Sequence, residues 1–419
     1  MFELNCDVAV VGGGPAGLAA AVSARKQGAE KVLIIERDKT LGGILQQCIH
    51  PGFGLTYYKE DLTGPEYAGR FIDQVENLGI ETLMDSMVLE IFPDGAILCS
   101  NSRLGINMIK AKSVVLAMGC RERTRGNIRI PGTRPAGVYT AGAAQRLINR
   151  QNNMVGRKVV ILGSGDIGMI MARRLTLEGA EVVSVVEQMD FLTGLTRNRV
   201  QCLDDFGIPL MLSHTVTRIT GNARVEGVYV AAVDENKNPI METERFIECD
   251  TLLISVGLIP ENELSRAVNI EMSPVTNGPI VNQYMQTSIP AIFASGNVVH
   301  VNDLVDNVST ESEIAGREAA RYAMKTLPET IDSVECVSGN NIRYICPQKI
   351  ALSGEEKEVV LYFRVNMPDA NVLISLSCNG KELKRKKVVK VNPGEMEFIK
   401  IRTLDLSPGS LTIDVIKEM

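Results

Sequence analysis

Short apolar runs alternate with helix-like segments in the first part of the chain. The runs 8–11 and 31–35 each predict a buried parallel strand. Between them, residues 18–27 have helical character, and Gly28 closes that segment. The pattern therefore predicts a strand, a crossover helix and a second strand within about thirty residues.

The same unit recurs further along the chain. Residues 158–162 predict a strand, 167–178 a helix and 181–186 a second strand. Further strand-like runs lie at 113–117, 251–256 and 291–294, and each is followed by a turn that contains glycine. One later helix is predicted at about 309–324. Strands that alternate with helices indicate an α/β fold with parallel sheets.

The pattern changes from about residue 334. Short alternating strands are predicted at 359–365, 372–377, 387–391, 397–401 and 411–416. Turn sequences such as Asn379-Gly380 separate them, so this tail is expected to be a small all-β domain. Lys384-Arg385-Lys386-Lys387 is interpreted as a solvated strand edge rather than a docking patch, because edge lysines discourage aggregation.

A Gly-x-Gly-x-x-Gly fingerprint follows the first strand of each repeated unit. Gly12 to Gly17 is followed by Glu36, nineteen residues after its last glycine. Gly163 to Gly168 is followed by Glu187 at the same spacing. The glycines allow a tight turn, close approach of the backbone to a pyrophosphate, and close packing of helix on strand, while the acid accepts from ribose hydroxyls. Two such units predict two dinucleotides in one chain and electron transfer between them.

The acidic residue also favours one nicotinamide cofactor over the other. A carboxylate at Glu187 repels a 2′-phosphate, and the sequence around it, VVEQMD, offers no arginine to bind one. NAD is therefore expected at the second fingerprint, with NADP less favoured.

The composition limits which binding partners and which cellular compartment are expected. The chain has 419 residues and a net charge of −6, which argues against nucleic acid as a main partner. No apolar run reaches the length of a membrane span, and no signal peptide is recognised. Nine cysteines without metal-ligand spacing suggest reduced thiols and a cytoplasmic location, and with three histidines no metal site is expected.

These motifs resemble the two-dinucleotide-binding-domain flavoproteins, the group that includes glutathione reductase and NADH oxidases. The resemblance covers roughly residues 1–326 and implies two Rossmann-like domains, one inserted in the other. The all-β tail departs from the mixed α/β character of the family's usual C-terminal domain. The resemblance places an FAD-binding domain at 1–120 and 275–328 and an NAD-binding domain at 121–274, and the strand pattern places the β domain at 334–419. The implied FAD contacts are Gly12, Gly14, Pro15, Ala16, Gly17, Glu36, Arg37, Gly42, Gly43, Ile44, Val88, Ala117, Met118, Gly119, Gly296 and Asn297. The implied NAD contacts are Gly163, Ser164, Gly165, Asp166, Ile167, Gly168, Glu187 and Gly257.

Departures from the reductase pattern argue against disulfide reduction. Only Cys48 follows the paired glycines, where those enzymes carry two cysteines. Asn297 stands where the family usually has aspartate, and an amide still bonds a ribityl hydroxyl. The segment Ile130 to Gln145 resembles a branch whose members are subunits of multi-component dehydrogenases. That branch includes the α subunits of proline dehydrogenase and opine oxidase, and the partner of an anaerobic glycerol-3-phosphate dehydrogenase.

Catalytic side chains are less defined than the cofactor sites. The resemblance directs the N-terminus of a helix near Ser309 towards the flavin, with Glu311 and Glu313 interpreted as ordinary helix-start residues. Cys48 and His50 are candidate redox residues, if the histidine lowers the pKa of the thiol; the alternative is a buried cysteine that shapes the pocket. His300 is a candidate pocket residue and His214 is interpreted as structural, while a ligand role for Cys336 and Cys346 in an iron–sulfur site is a weak alternative.

The sequence therefore predicts an FAD-dependent oxidoreductase that moves hydride between NAD(H) and FAD. A partner flavin dehydrogenase acting on a polyol phosphate or an amino acid is expected, and so is an oligomer. Two alternatives stay open: a stand-alone NADH oxidase or peroxidase that uses Cys48, and a non-catalytic assembly protein that keeps its nucleotides as structural ligands.

Overall fold

The computed structural model describes residues 2–417, and the chain divides into two compact units. The first unit comprises residues 1–120 and 260–419, and the second comprises 121–259. The second unit is thus inserted into the sequence of the first. The insertion ends at 259, whereas the sequence suggested 274. Residues 260–274 pack with the first unit because Val268 and Ile270 lie in its core and Asn262 donates to the carbonyl of Val298 at 2.8 Å.

The N-terminal part of the first unit contains a mixed sheet around a central parallel portion. The strands of this part are β1 (Phe2–Val11), β2 (Val32–Ile35), β3 (Pro51–Phe53), β4 (Leu62–Thr63), β5 (Glu81–Leu83), β6 (Ser86–Ile91), β7 (Ala96–Asn101) and β8 (Gly105–Leu116). Strands β3 and β4 pair with each other in a separate two-stranded sheet. The helices of this part are α1 (Pro15–Gln27) and α2 (Gly64–Asn77). The strand order is β5-β2-β1-β8-β7-β6, with β2, β1 and β8 parallel and β8, β7 and β6 antiparallel.

The second unit repeats the strand and helix alternation. Its strands, with those at its two borders, are β9 (Cys120–Glu122), β10 (Val138–Thr140), β11 (Lys158–Leu162), β12 (Glu181–Val186), β13 (Leu210–Met211), β14 (His214–Gly221), β15 (Val225–Ala232), β16 (Arg245–Glu248), β17 (Thr251–Ile254) and β18 (Leu258–Pro260). Its helices are α3 (Arg125–Ile128), α4 (Ala141–Gln151), α5 (Asp166–Leu177) and α6 (Thr196–Cys202). Strands β10-β17-β11-β12-β13 form a parallel sheet, and β14, β15 and β16 form a separate antiparallel one.

The rest of the first unit completes the sheet and then builds a β sandwich. Its helices are α7 (Glu263–Ala267) and α8 (Val305–Ala323). Its strands are β19 (Ile292–Ala294), β20 (Asp332–Ser338), β21 (Ile342–Cys346), β22 (Lys349–Leu352), β23 (Glu358–Val365), β24 (Asp369–Cys378), β25 (Lys381–Val391), β26 (Glu397–Arg402) and β27 (Gly409–Lys417). Strand β19 joins β8 in parallel. The last eight strands form a five-stranded and a three-stranded sheet that share one apolar core.

The fold predicted from the sequence is confirmed. The βαβ units lie where the apolar runs placed them, and the tail is all-β, with β20, β21 and β22 in addition to the five predicted strands. Strand β25, which carries Lys384 to Lys387, is an edge strand, as expected. No helix among residues 2–417 is long and apolar enough to cross a bilayer.

Candidate functional site

The first fingerprint forms a tight turn between β1 and α1. Gly12 has φ +107°, and a Cβ there would lie 2.5 Å from the carbonyl oxygen of Ala117. A Cβ on Gly17 would lie 1.8 Å from the oxygen of Gly12. Only glycine fits at either position, because the turn and the helix are pressed against backbone.

The start of α1 is left available to an anion. Gly14 is the N-cap, makes no side-chain cap, and is followed by Pro15, which has no N–H. A Cβ on Gly14 would meet its nearest neighbour, the Cα of Gly43, only at 3.9 Å. The first turn therefore presents backbone N–H groups and a positive dipole end beside open backbone, which suits the pyrophosphate of FAD.

The other predicted FAD segments surround this turn. The amide of Gly42 donates to the oxygen of Gly13 at 2.8 Å. The segment Ala117 to Gly119 continues β8 beside Gly12, and Gly296 approaches Ala16 so closely that a Cβ would lie 2.8 Å from that side chain. The structure thus brings together four segments that the sequence keeps apart.

Glu36 closes the first fingerprint from the end of β2. One carboxylate oxygen accepts from the amide of Gly13 at 2.6 Å, and the other accepts from the amide of Asp38 at 2.7 Å. The side chain is only 7% exposed. The carboxylate is therefore fixed beside the fingerprint, where it can also accept from the hydroxyls of an adenine ribose.

The remaining predicted FAD residues divide by exposure. Val88 is buried in β6, whereas Ile44 and Arg37 are exposed. Asn297 is already engaged with protein, since its oxygen accepts from the amide of Asn302 at 2.9 Å and its nitrogen donates to the Cys120 sulfur at 3.6 Å.

The second fingerprint has the same backbone geometry in its own unit. Gly163 has φ +100°, and a Cβ there would lie 2.1 Å from the oxygen of Ser255. A Cβ on Gly168 would lie 2.8 Å from the oxygen of Gly163. Gly257, two residues beyond Ser255, also has positive φ. The start of α5, capped by Gly165 without a side-chain bond, again offers N–H groups to a pyrophosphate.

Glu187 makes more bonds to protein than Glu36 does. One of its oxygens accepts from the amide and the hydroxyl of Ser164, at 2.9 and 2.7 Å, and from the hydroxyl of Thr193 at 3.0 Å. The other accepts from the amide of Met189 at 2.8 Å. The acid is therefore held by its own fingerprint and by the loop that follows β12.

That loop also engages the first residue of α5. Asp166 accepts from the amide of Leu195 at 2.8 Å and from the side chain of Asn198 at 2.6 Å, while Ile167 beside it is half-buried. A Cβ on Gly194 would lie 2.9 Å from the amide of Asp166. The segment 193–198 thus lies against the second fingerprint, a feature that no sequence signal beyond Gly194 indicates.

Cys48 follows the paired glycines in the chain, and its environment is not that of a reactive thiol. It is 7% exposed and donates to the carbonyl of Ile44 at 3.3 Å. Burial raises its pKa to about 12, so the expectation of a histidine-lowered pKa is wrong. Nδ1 of His50 is 2.9 Å from the carbonyl oxygen of Pro51, and its ring lies 5.0 Å from Phe53.

Helix α8 begins one turn earlier than the sequence suggested. It starts at Val305, and Asp306 in its first turn accepts from the amides of Gly54, Thr56 and Tyr57. The helix start is therefore bonded to the loop that follows β3.

Glu311 and Glu313 are consequently not helix-start residues, and that interpretation is wrong. Glu311 is 4% exposed and lies 2.8 Å from Nε2 of His300, while Glu313 accepts from the hydroxyl of Tyr57. His214 starts β14, and its Nδ1 lies 2.7 Å from the carbonyl oxygen of Leu212.

The part of the chain that contains both fingerprints matches a known family. Residues 6–319 match the family model described as pyridine nucleotide-disulphide oxidoreductase. The chain belongs to this family. Members of the pyridine nucleotide-disulphide oxidoreductase family use FAD and NAD(P)H, so this chain is an NAD(P)H-linked, FAD-dependent oxidoreductase.

Individual relatives are distant. The hydrogen cyanide synthase protein HcnB of Pseudomonas protegens is 25% identical over 70% of this chain, and an opine oxidase subunit of Agrobacterium tumefaciens is 24% identical over 77%. The alignment spans 66% of each of these relatives. The thioredoxin reductase of T. acidophilum has the same fold, with a TM-score of 0.63 and 23% identity over 76% of this chain and 99% of that one.

Proposed function

We propose that this chain moves hydride between NAD(H) and FAD and exchanges electrons with a partner dehydrogenase. The observation that carries the proposal is the pair of fingerprints, each with an uncapped helix start and a carboxylate bonded to the fingerprint backbone. FAD supplies the two-electron carrier, and the nicotinamide supplies or takes the hydride.

The residues divide into two binding sites under this proposal. FAD binds at Gly12 to Gly17, with Glu36 on its ribose and Gly42-Gly43, Ala117 to Gly119 and Gly296-Asn297 along its length. NAD binds at Gly163 to Gly168, with Glu187 on its ribose. The carboxylate supports NAD over NADP, because its charge repels a 2′-phosphate. The glycine-rich turns and the two carboxylates position the cofactors.

The partner part of the proposal is supported by the nature of two relatives. HcnB and the opine oxidase protein are each named as one subunit of a larger enzyme. We propose the same for this chain, with a partner that oxidises an amino acid or a polyol phosphate, in an oligomer. A cytoplasmic location is part of the proposal, supported by cysteines that are free thiols throughout residues 2–417.

An anaerobic titration tests the hydride step. The full chain, purified with its flavin, is titrated with NADH and separately with NADPH while flavin absorbance is followed. We expect bleaching by NADH at lower concentrations than by NADPH. A flavin that NADH does not bleach would contradict the proposal and favour the non-catalytic assembly role. Titrating the bleached protein with dichlorophenolindophenol then measures electron delivery to an external acceptor.

A further inference from the structure

Three side chains of different chemistry meet in the interior of the first unit. His300, Glu311 and Cys346 each offer a ligand atom, and these atoms lie within 4.8 Å of one another. All three residues are buried, with exposed fractions of 1%, 4% and 0%. They come from the loop after β19, from α8 and from β21, so no spacing in the sequence predicts the cluster.

The distances suit a tetrahedral metal ion. His300 Nε2 lies 2.8 Å from Glu311 Oε1, and Cys346 Sγ lies 3.9 Å from the same oxygen. Zinc bonds of about 2.0–2.3 Å at tetrahedral angles place such ligands roughly 3.3–3.6 Å apart. To bind one ion, the imidazole and the carboxylate need to separate by about half an ångström, and the thiol needs to approach the carboxylate by less than that. The thiol and the imidazole, which lie within 4.8 Å of each other, need to approach by up to roughly 1.3 Å.

The carboxylate is oriented as a metal ligand. Its second oxygen accepts from the amide of Gly296 at 3.2 Å and from the side chain of Asn302 at 3.5 Å. These bonds direct Oε1 towards the histidine and the cysteine. Outer hydrogen bonds of this kind are typical of carboxylates that bind a metal through one oxygen.

Aromatic rings lie near the cluster, and two polar atoms beside it have no hydrogen-bond partner among the described residues. The rings of Tyr344 and Tyr362 lie 5.9 and 6.3 Å from the ring of His300. Within residues 2–417, Nδ1 of His300 and Oδ1 of Asn302 are buried without a hydrogen-bond partner. Buried polar atoms without partners are uncommon, and a bound water or ion is one explanation for them.

We propose that His300, Glu311 and Cys346 form a buried zinc site that links α8 to the C-terminal β sandwich. The charges balance, because one thiolate and one carboxylate neutralise a divalent ion and the imidazole stays neutral. The thiol proton leaves when the metal binds. A water molecule fills the fourth position. Thiolate with imidazole selects zinc over magnesium or calcium.

Metal analysis of the full chain without a histidine tag tests the proposal. The protein is equilibrated with zinc sulfate, freed of excess metal by gel filtration and analysed by mass spectrometry. We expect about one zinc per chain. Cys346→Ser should lower zinc affinity by more than the roughly 10–100-fold that loss of an outer hydrogen bond costs. The matched control is Cys378→Ser, which alters another buried cysteine of the β sandwich that lies away from the cluster and should keep its zinc.

A second measurement does not depend on whether the variant folds. X-ray absorption at the zinc edge of the wild-type protein should show one sulfur among nitrogen and oxygen ligands. Wild-type protein with less than about one tenth of an equivalent of zinc, zinc without a sulfur ligand, or zinc retained by a folded Cys346→Ser variant would each overturn the proposal. Flavin content and NADH bleaching are measured in parallel, so failure of this site is distinguishable from failure of the proposed function.

Discussion

The two fingerprints have the same backbone geometry but differ in the number of hydrogen bonds that the surrounding protein makes to their acidic residues. At the first, Glu36 holds two backbone amides and no side chain caps the helix start. At the second, Glu187 accepts from four donors and Asp166 bonds to the segment 193–198. A permanently held cofactor requires a site that stays formed. Under the proposed function the second site exchanges its cofactor, so the bonds between Asp166 and the segment 193–198 have to accommodate that exchange.

The largest difference is expected from adding one methyl group to the last glycine of either fingerprint. Gly17→Ala places a Cβ 1.8 Å from the Gly12 oxygen, so the turn has to shift. Overpacking of this kind costs about 1–3 kcal/mol or more, and we expect FAD affinity to fall at least roughly tenfold. Flavin absorbance per chain measures the loss.

Gly168→Ala is the counterpart in the second unit. Its Cβ would lie 2.8 Å from the Gly163 oxygen, so the strain is smaller. We expect normal flavin content and NADH affinity weakened about tenfold. Gly69→Ala, whose Cβ meets nothing within 4 Å, is the control for both and should change neither. Loss of flavin in Gly168→Ala would contradict the assignment of the two sites.

Substitution of either carboxylate is likewise expected to affect the binding of only one of the two cofactors. Glu36→Ala leaves the amides of Gly13 and Asp38 without their acceptor, at about 1–3 kcal/mol for each buried group. We expect reduced flavin content and a lower melting temperature. Glu187→Ala should instead weaken NADH binding with flavin retained, as measured by titration of flavin bleaching. Equal effects of both variants on flavin content would contradict the assignment of Glu36 to the FAD site and Glu187 to the NAD site.

A smaller and opposite effect is expected at the start of α5. Asp166 places a negative charge at the start of α5, where we propose that the pyrophosphate of NAD binds. Asp166→Asn removes that charge and loosens the bonds to Leu195 and Asn198, so KM for NADH should fall roughly two- to five-fold. The matched control is Glu178→Gln at the other end of the helix, which should leave KM unchanged. An increase in KM for Asp166→Asn would show that its bonds to the loop support the bound state.

Cys48→Ser should have the smallest effect. Burial raises the pKa of the thiol to about 12, so the group is neutral below that pH and its charge does not change across the physiological range. NADH bleaching should therefore be the same in variant and wild type from about pH 6 to 9. Loss of turnover in the variant would restore the NADH oxidase or peroxidase alternative.

Local signals in the sequence predicted most of the fold and the cofactor motifs. Apolar runs, glycine spacing and the acids at 36 and 187 are all readable within about thirty residues. The sequence did not predict features that depend on contacts between distant segments of the chain. It placed the start of α8 at Ser309 rather than Val305, because the bonds from Asp306 to the loop 54–57 are tertiary. It gave no sign that His300, Glu311 and Cys346 meet, because their side chains converge only in the folded chain.

Hydride transfer from NADH to the flavin within one chain is tested most directly by the isotope dependence of flavin reduction. NADH carrying deuterium on one face of the nicotinamide C4, and then on the other, is mixed anaerobically with the flavin-bound protein in a stopped-flow instrument. Hydride transfer between two cofactors held in fixed orientation predicts slower bleaching with deuterium on one face and unchanged bleaching with deuterium on the other. Absence of bleaching, or a rate that ignores deuterium on both faces, would contradict hydride transfer as the step that reduces the flavin.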